Sequence, residues 1–186
     1  MPTTRECDIA GVRLVDLDVR GDERGVFVET FRREWVPEAF EVLQSNRADR
    51  RAGSIVGLHY HPTQSDYWYV PRGLVRMVLH DLRVGSPTEG VTLAMELGDD
   101  RPPVGVYIPP GVAHGFAALT DMTITYAVDR YYDPAEELGV AWDDPEIAAD
   151  WGVGEPVLSE RDRGNPKRAE IAEGDRPRYA RARSAR

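Results

Sequence analysis

Residues 53–73 read GSIVGLHYHPTQSDYWYVPRG. Side chains alternate faces along an extended strand. A strand over 55–61 is therefore expected to place Ile55, Gly57, His59 and His61 on one face, with Val56, Leu58 and Tyr60 on the other. Asp66 follows a short turn and approaches the two histidines from the next strand. Two imidazoles on one face of a buried strand need partners, because buried polar groups are costly without them. Gly57 leaves room beside His59, and a third histidine, His114, follows the Pro-Pro-Gly turn at 109–111. Two uses fit these residues: a metal cage, or the floor of a metal-free acid–base site.

Short extended runs broken by turn residues dominate the chain. Strands are expected at 12–17, 26–31, 55–61, 67–70, 74–82, 91–97, 104–108, 114–119 and 122–131. Turn signals separate them at Pro71-Arg72-Gly73, Gly85-Ser86-Pro87 and Pro109-Pro110-Gly111. Two stretches look helical: 33–40, shortened by Pro37, and 145–151, where Asp144 caps and Pro145 occupies the first turn. So many regularly spaced strands indicate an all-β sandwich or barrel with a few short helices. In such a fold the chemistry sits in the mouth, on inward-facing polar side chains.

The 186 residues suit one domain, which at this length buries roughly 70% of its unfolded surface. That domain is expected over 1–166, followed by a basic, flexible tail over 167–186. A net charge of −9 argues against a nucleic-acid binder, since phosphate recognition needs a basic surface. Cys7 is the only cysteine, so no internal disulfide forms. That fits a reducing, cytoplasmic location. No stretch reaches the ~18 apolar residues of a membrane span, and no membrane partner is expected.

The spacing of Gly53, His59, His61, Asp66 and Gly73, followed by Pro109, Gly111 and His114, resembles the two cupin motifs. Cupins are jelly-roll β-barrels. In their metal-binding members the places of His59, His61, Asp66 and His114 hold the ion, and this donor set suits Fe, Mn, Ni, Cu or Zn. Asp66 stands where glutamate is usual.

A longer resemblance covers about 22–166. It rests on DERGVFVETF from Asp22, QSN from Gln44, GLHY from Gly57, DLRVGSPTEG from Asp81, YIPPGVAHGFAAL from Tyr107, YYDPAEELGVAWDDPEI from Tyr131, DWG from Asp150 and LSERD from Leu158. These resemble the dTDP-4-dehydrorhamnose 3,5-epimerase family, which are dimeric cupins that need no cofactor. The resemblance implies a small-molecule substrate, a nucleotide-linked 4-keto-6-deoxyhexose inverted beside its ketone. It implies His59 as base, Asp162 as the carboxylate orienting it, Tyr126 as acid on the opposite ring face, and His114 near the developing enolate. Gln44, Asn46, Glu29, Tyr132 and Arg24 are implied to hold the substrate, with Arg24 reaching in from a dimer partner.

The chain departs from this pattern in the same pocket. The family usually has arginine at position 56, lysine at 66 and its aspartate partner at 77; here stand Val56, Asp66 and Met77. Exchanging a nearby cation for an anion disfavours an enolate by several kcal/mol at an effective dielectric of ~20. A divalent metal on His59, His61, Asp66 and His114 would restore the charge, but a metal-bound His59 is no longer a free base. The residues therefore leave three readings open: a sugar-nucleotide epimerase, a metal-dependent cupin isomerase or dioxygenase, and a non-catalytic sugar-nucleotide-binding cupin.

Overall fold

The structure, a computed structural model, describes residues 1–180. Its strands are β1 (Thr3–Glu6), β2 (Arg13–Asp16), β3 (Val19–Asp22), β4 (Gly25–Val28), β5 (Gln44–Arg50), β6 (Ile55–Tyr60), β7 (Asp66–Arg72), β8 (Leu74–Asp81), β9 (Thr92–Gly98), β10 (Val104–Ile108), β11 (Val112–Ala118), β12 (Met122–Val128) and β13 (Leu138–Gly139). Six form one antiparallel sheet in the order β1-β2-β10-β7-β12-β5, and five form a second in the order β13-β6-β11-β8-β9. The hairpin β3–β4 stands apart from both. This is the expected all-β jelly-roll architecture. No helix among the described residues is long and apolar enough to cross a membrane.

The main core lies between the sheets. Leu14, Trp68, Val106, Ile108 and Ile124 from one sheet meet Val75, Met77, Leu79, Val112 and Phe116 from the other. Each such side chain contributes about 1.5–3 kcal/mol on leaving water. β8 and β11 are buried along most of their length rather than on alternate residues, because the second sheet is covered on its outer face too. There Ile55, Leu58, Val78 and Ala117 pack against Ile147, Trp151, Leu158 and Ile171. The outer face of the first sheet is covered by Trp35, Val36 and Phe40, packed with Tyr67 and Tyr107.

All nine expected strands form, with ends shifted by a few residues. Four others were not anticipated. β5 reads QSNRADR and β1 is exposed throughout, so neither shows the apolar alternation that reveals a strand; β3 and β13 are short. The two expected helices do not form. Over 33–40 there is only a 3-10 turn, Arg33–Trp35, because Pro37 ends it while Trp35, Val36 and Phe40 are drawn into the apolar layer. Over 145–151 Asp144 does cap, accepting from Glu146 N at 2.7 Å. The turn stops at Ala148, whose φ is 50°, and Ile147 and Trp151 are buried instead. The α-helix among the described residues is α1 (Glu160–Arg163), capped by the Ser159 side chain.

The expected flexible tail is corrected over 167–180. Val84 N donates to Pro177 O at 2.8 Å and Tyr179 N to Val84 O at 3.1 Å. The Arg83 guanidinium stacks 5.0 Å over the Tyr179 ring, and Ile171 joins the outer apolar layer. Apolar and π contacts outweigh the solvation of a charged segment here. Residues 181–186 lie outside the described residues.

His80 on β8 is fully buried. Its Nδ1 meets Thr92 Oγ1 at 3.0 Å, and its Nε2 has no partner. Burial, helped by the nearby Arg168 charge, lowers its pKa from 6.5 to about 4. Because the folded-state value is depressed, the unfolded chain takes up the proton first. Stability from this residue is complete above pH 6.5 and falls as pH drops from 6.5 to about 4, by on the order of 3 kcal/mol at most. Denaturant unfolding at pH 7 and 4.5 is expected to show a smaller loss in His80→Gln than in the parent. Equal losses would contradict this role.

Candidate active site

A bulge in β6 decides which side chains enter the cavity. On β11, His114 pairs with His59, Phe116 with Val56 and Ala117 with Ile55. Three steps along β6 thus match two along β11, and the alternation changes phase between Val56 and His59. The expected face of Ile55, Gly57, His59 and His61 is corrected accordingly. Ile55 points to the outer layer with Leu58 and Tyr60, while Val56 lines the cavity with His59 and His61. Gly57 makes this geometry accessible. Its φ is 118°, and a Cβ there would lie 2.7 Å from Gly115 Cα and 2.8 Å from the His114 carbonyl oxygen.

His59 Nε2 lies 2.6 Å from Asp162 Oδ1, joining β6 to α1 across more than half the chain. Asp162 Oδ2 accepts from the Ser159 hydroxyl at 2.8 Å, and Ser159 Oγ accepts in turn from Asp162 N at 3.1 Å. The helix cap therefore also fixes the carboxylate. Burial pushes the Asp162 pKa up, but the His59 hydrogen bond and charge, with Ser159 and Arg161, outweigh it and leave the pKa below the ordinary value. An ionised Asp162 accepts the Nε2 proton, which leaves the ring lone pair on Nδ1.

The second motif histidine belongs to a different cluster. His61, Asp66 and His114 are each buried and place one donor atom apiece within 4.8 Å of one another. His114 Nδ1 lies 2.9 Å from the Val112 carbonyl oxygen, and Asp66 accepts from Gln64 Nε2 at 2.9 Å and Trp68 Nε1 at 3.1 Å. Burial lowers the His114 pKa despite the Asp66 charge, so its imidazole is neutral. The expected four-residue cage is thus corrected: His61, Asp66 and His114 converge, and His59 does not join them.

The cavity has a volume of about 100 Å³ and is lined by Val56, His59, His61, Asp66, His114 and Tyr126, among others. Tyr126, on β12, faces it from the opposite sheet to His59. Burial, with a contribution from the Asp66 charge, raises the Tyr126 pKa, so the phenol is protonated. A second hollow of about 290 Å³ gathers Gln44, Asn46 and Tyr132 and shares Gln64, Tyr126 and Glu137 with the first. The two other expected binding residues stay outside the cavity of their own chain. Arg24 pairs with Asp22 at the tip of the β3–β4 hairpin, and Glu29 pairs with Arg32 at 2.7 Å.

The departures are coherent in three dimensions. Met77 is fully buried in the main core, where an aspartate would be a buried charge among apolar side chains. A lining cation that was not anticipated is Arg50. It shares the β5 face of Gln44, Asn46 and Ala48, so counting by twos from the QSN motif would have found it. Trp68 and Gln64, which hold Asp66, carry no comparable signal.

Residues 6–170 match the family model for dTDP-4-dehydrorhamnose 3,5-epimerase. The chain is 38% identical over 185 residues to a Streptomyces niveus dTDP-4-dehydrorhamnose 3-epimerase, covering 95% of this chain and 89% of that one. The structure superposes on NovW, a 4-keto-6-deoxy sugar epimerase from Streptomyces spheroides. The TM-score is 0.90 at 37% identity, over 96% of this chain and 94% of NovW. It superposes equally, at 32% identity over 97% of this chain and all of the other, on the Legionella pneumophila dTDP-6-deoxy-D-glucose-3,5-epimerase solved with dTDP-4-keto-L-rhamnose. With the fold, the His59–Asp162 pair and these matches in agreement, the chain belongs to the dTDP-4-dehydrorhamnose 3,5-epimerase family.

Proposed function

We propose that the protein is a sugar-nucleotide epimerase of deoxysugar biosynthesis, acting on a dTDP-linked 4-keto-6-deoxyhexose by proton transfer at carbon beside the ketone. The observation that carries this reading is the His59–Asp162 pair on one wall of the cavity with a protonated Tyr126 on the other. A proton next to a ketone is acidic because the anion delocalises onto the carbonyl oxygen. His59 removes it, Asp162 stabilises the resulting imidazolium, and Tyr126 returns a proton from the opposite sheet, inverting the carbon. The sugar occupies the first hollow. The nucleotide extends into the second, where Gln44, Asn46 and Tyr132 supply hydrogen-bonding groups.

The β3–β4 hairpin, with Val26 and Phe27 exposed, is read as an arm that crosses to a second copy in a homodimer. It carries Arg24 toward that copy's nucleotide. This accounts for an arginine whose side chain is 85% exposed in its own chain.

Incubation with dTDP-4-keto-6-deoxyglucose in deuterium oxide is the test. Deuterium is expected at ring carbons flanking C4, and the number of labelled positions reports how many centres exchange. A panel of nucleotide-linked 4-keto-6-deoxyhexoses that all remain unlabelled would refute the epimerase reading and favour a binding module.

A further inference from the structure

We infer that His61, Asp66 and His114 form a three-residue site for a divalent transition-metal ion, distinct from the His59–Asp162 pair and beside it in the same cavity. The first support is what the three side chains present to one another. The Val112 carbonyl oxygen, 2.9 Å from His114 Nδ1, can only accept, so Nδ1 carries the ring proton and Nε2 offers a lone pair. His61 Nδ1 likewise faces two acceptors, the Glu136 carbonyl oxygen at 3.3 Å and the Glu137 carboxylate at 3.4 Å. Its free lone pair is therefore also on Nε2. Asp66 adds a carboxylate whose Oδ2 is 4.0 Å from His114 Nε2. The two imidazoles and the carboxylate thus converge, each side chain offering one donor atom to the others within 4.8 Å.

The second support is charge. Asp66 is 3% exposed, and among the described residues neither lysine nor arginine forms an ion pair with it. A buried carboxylate without a cation is costly even with two hydrogen bonds, and a dication satisfies it. The third is the outer ring of contacts. Metal-bound histidines almost always donate their other ring N–H to a carbonyl or carboxylate, and metal-bound carboxylates are themselves hydrogen-bonded. Val112, Glu136 and Glu137, Gln64 and Trp68 fill these places.

Two imidazoles and one carboxylate suit Fe, Mn, Co or Zn and leave coordination positions open. Ligand atoms about 2.1 Å from an ion lie roughly 3 Å apart, so donor atoms now 4.0 Å to at most 4.8 Å apart close by about 1–2 Å on binding. His59 takes no part, because its ring nitrogens lie outside the cluster in which the three donor atoms converge. One residue therefore need not serve as both ligand and base. The site stands on these three side chains and does not depend on the epimerase reading. If that reading holds, a bound ion supplies the positive charge for the ketone oxygen that Val56 and Asp66 do not.

The experiment uses tag-free full-length protein, stripped with chelator and titrated with Co2+. One equivalent per chain is expected, with visible d–d absorption and hyperfine-shifted ring N–H signals from two histidines by NMR. His61→Gln and Asp66→Asn, checked for folding by circular dichroism, are each expected to weaken binding by at least about 100-fold, the upper end for loss of an outer partner. His59→Asn is expected to leave it within a few-fold. Absence of stoichiometric binding in the parent protein overturns the proposal. So does binding that survives in folded His61→Gln and Asp66→Asn, or shifted signals from a different number of histidines. If a variant fails to fold, the histidine signals of the parent still decide. Metal binding without deuterium exchange supports this site and refutes the epimerase reading, while exchange without metal binding does the reverse.

Discussion

His59→Ala is expected to lower the rate of deuterium entry beside the ketone by about 10²–10⁴-fold, the range for loss of a positioned general base. The imidazole is the basic group that the structure both aims into the cavity and backs with a carboxylate, Asp162 at 2.6 Å. His114 Nδ1 faces only the Val112 carbonyl oxygen, and His61 Nδ1 shares a longer contact to the Glu137 carboxylate, 3.4 Å, with the Glu136 carbonyl oxygen at 3.3 Å. Tyr126 and Asp66 remain in the variant, so binding is expected to change less than turnover. Asp162 is left buried beside an empty space, and the variant is also expected to be less stable. Circular dichroism at the assay temperature separates misfolding from lost chemistry. NMR of product formed in deuterium oxide is the measurement, and an exchange rate within a few-fold of the parent would remove His59 as the base.

Gly57→Ala carries the largest expected effect on the fold, a loss of about 3 kcal/mol or more. Two costs combine: a methyl group is forced against backbone atoms that cannot retreat, and a non-glycine residue must adopt positive φ. The contacts are Gly115 Cα at 2.7 Å and the His114 carbonyl oxygen at 2.8 Å. Displacing them also moves His59 and His114, which pair across these strands, so activity is expected to fall with stability. Gly53→Ala is the control. Its φ is 84°, but a Cβ there meets nothing within 4 Å, so only the backbone cost of roughly 1 kcal/mol applies. Denaturant unfolding of both variants checks the difference. Equal losses would mean that the close approach of β6 and β11 is not what demands glycine.

The helices expected at 33–40 and 145–151 show where local signals mislead. Both segments carry apolar residues at helical spacing, and 145–151 also has a sound start signal in Asp144 and Pro145. Yet Trp35, Val36 and Phe40 gain more by covering one sheet, and Ile147 and Trp151 by covering the other, than the backbone gains from a helix that Pro37 or the turn at Ala148 limits. The tail over 167–180 erred in the opposite direction. Its basic composition hides Ile171 and Tyr179, whose docking depends on surfaces built much earlier in the chain. β5 escaped notice because its alternate residues face a polar cavity rather than an apolar core, and Arg50 escaped with it.

By itself the sequence determined the nine principal strands, the inward placement of His59 and His61, and, through its resemblance to a family, the roles expected of Asp162 and Tyr126. Alternation along a strand is a local property, and motif spacing survives in one dimension. Only the tertiary structure decided that Val56 rather than Ile55 lines the cavity, and that the two motif histidines serve different partners. Those outcomes depend on how many residues of β6 span a given stretch of β11, and on α1 bringing Asp162 to one imidazole alone. A count of residues along a single chain contains neither quantity, because each is set by contact between segments distant in sequence.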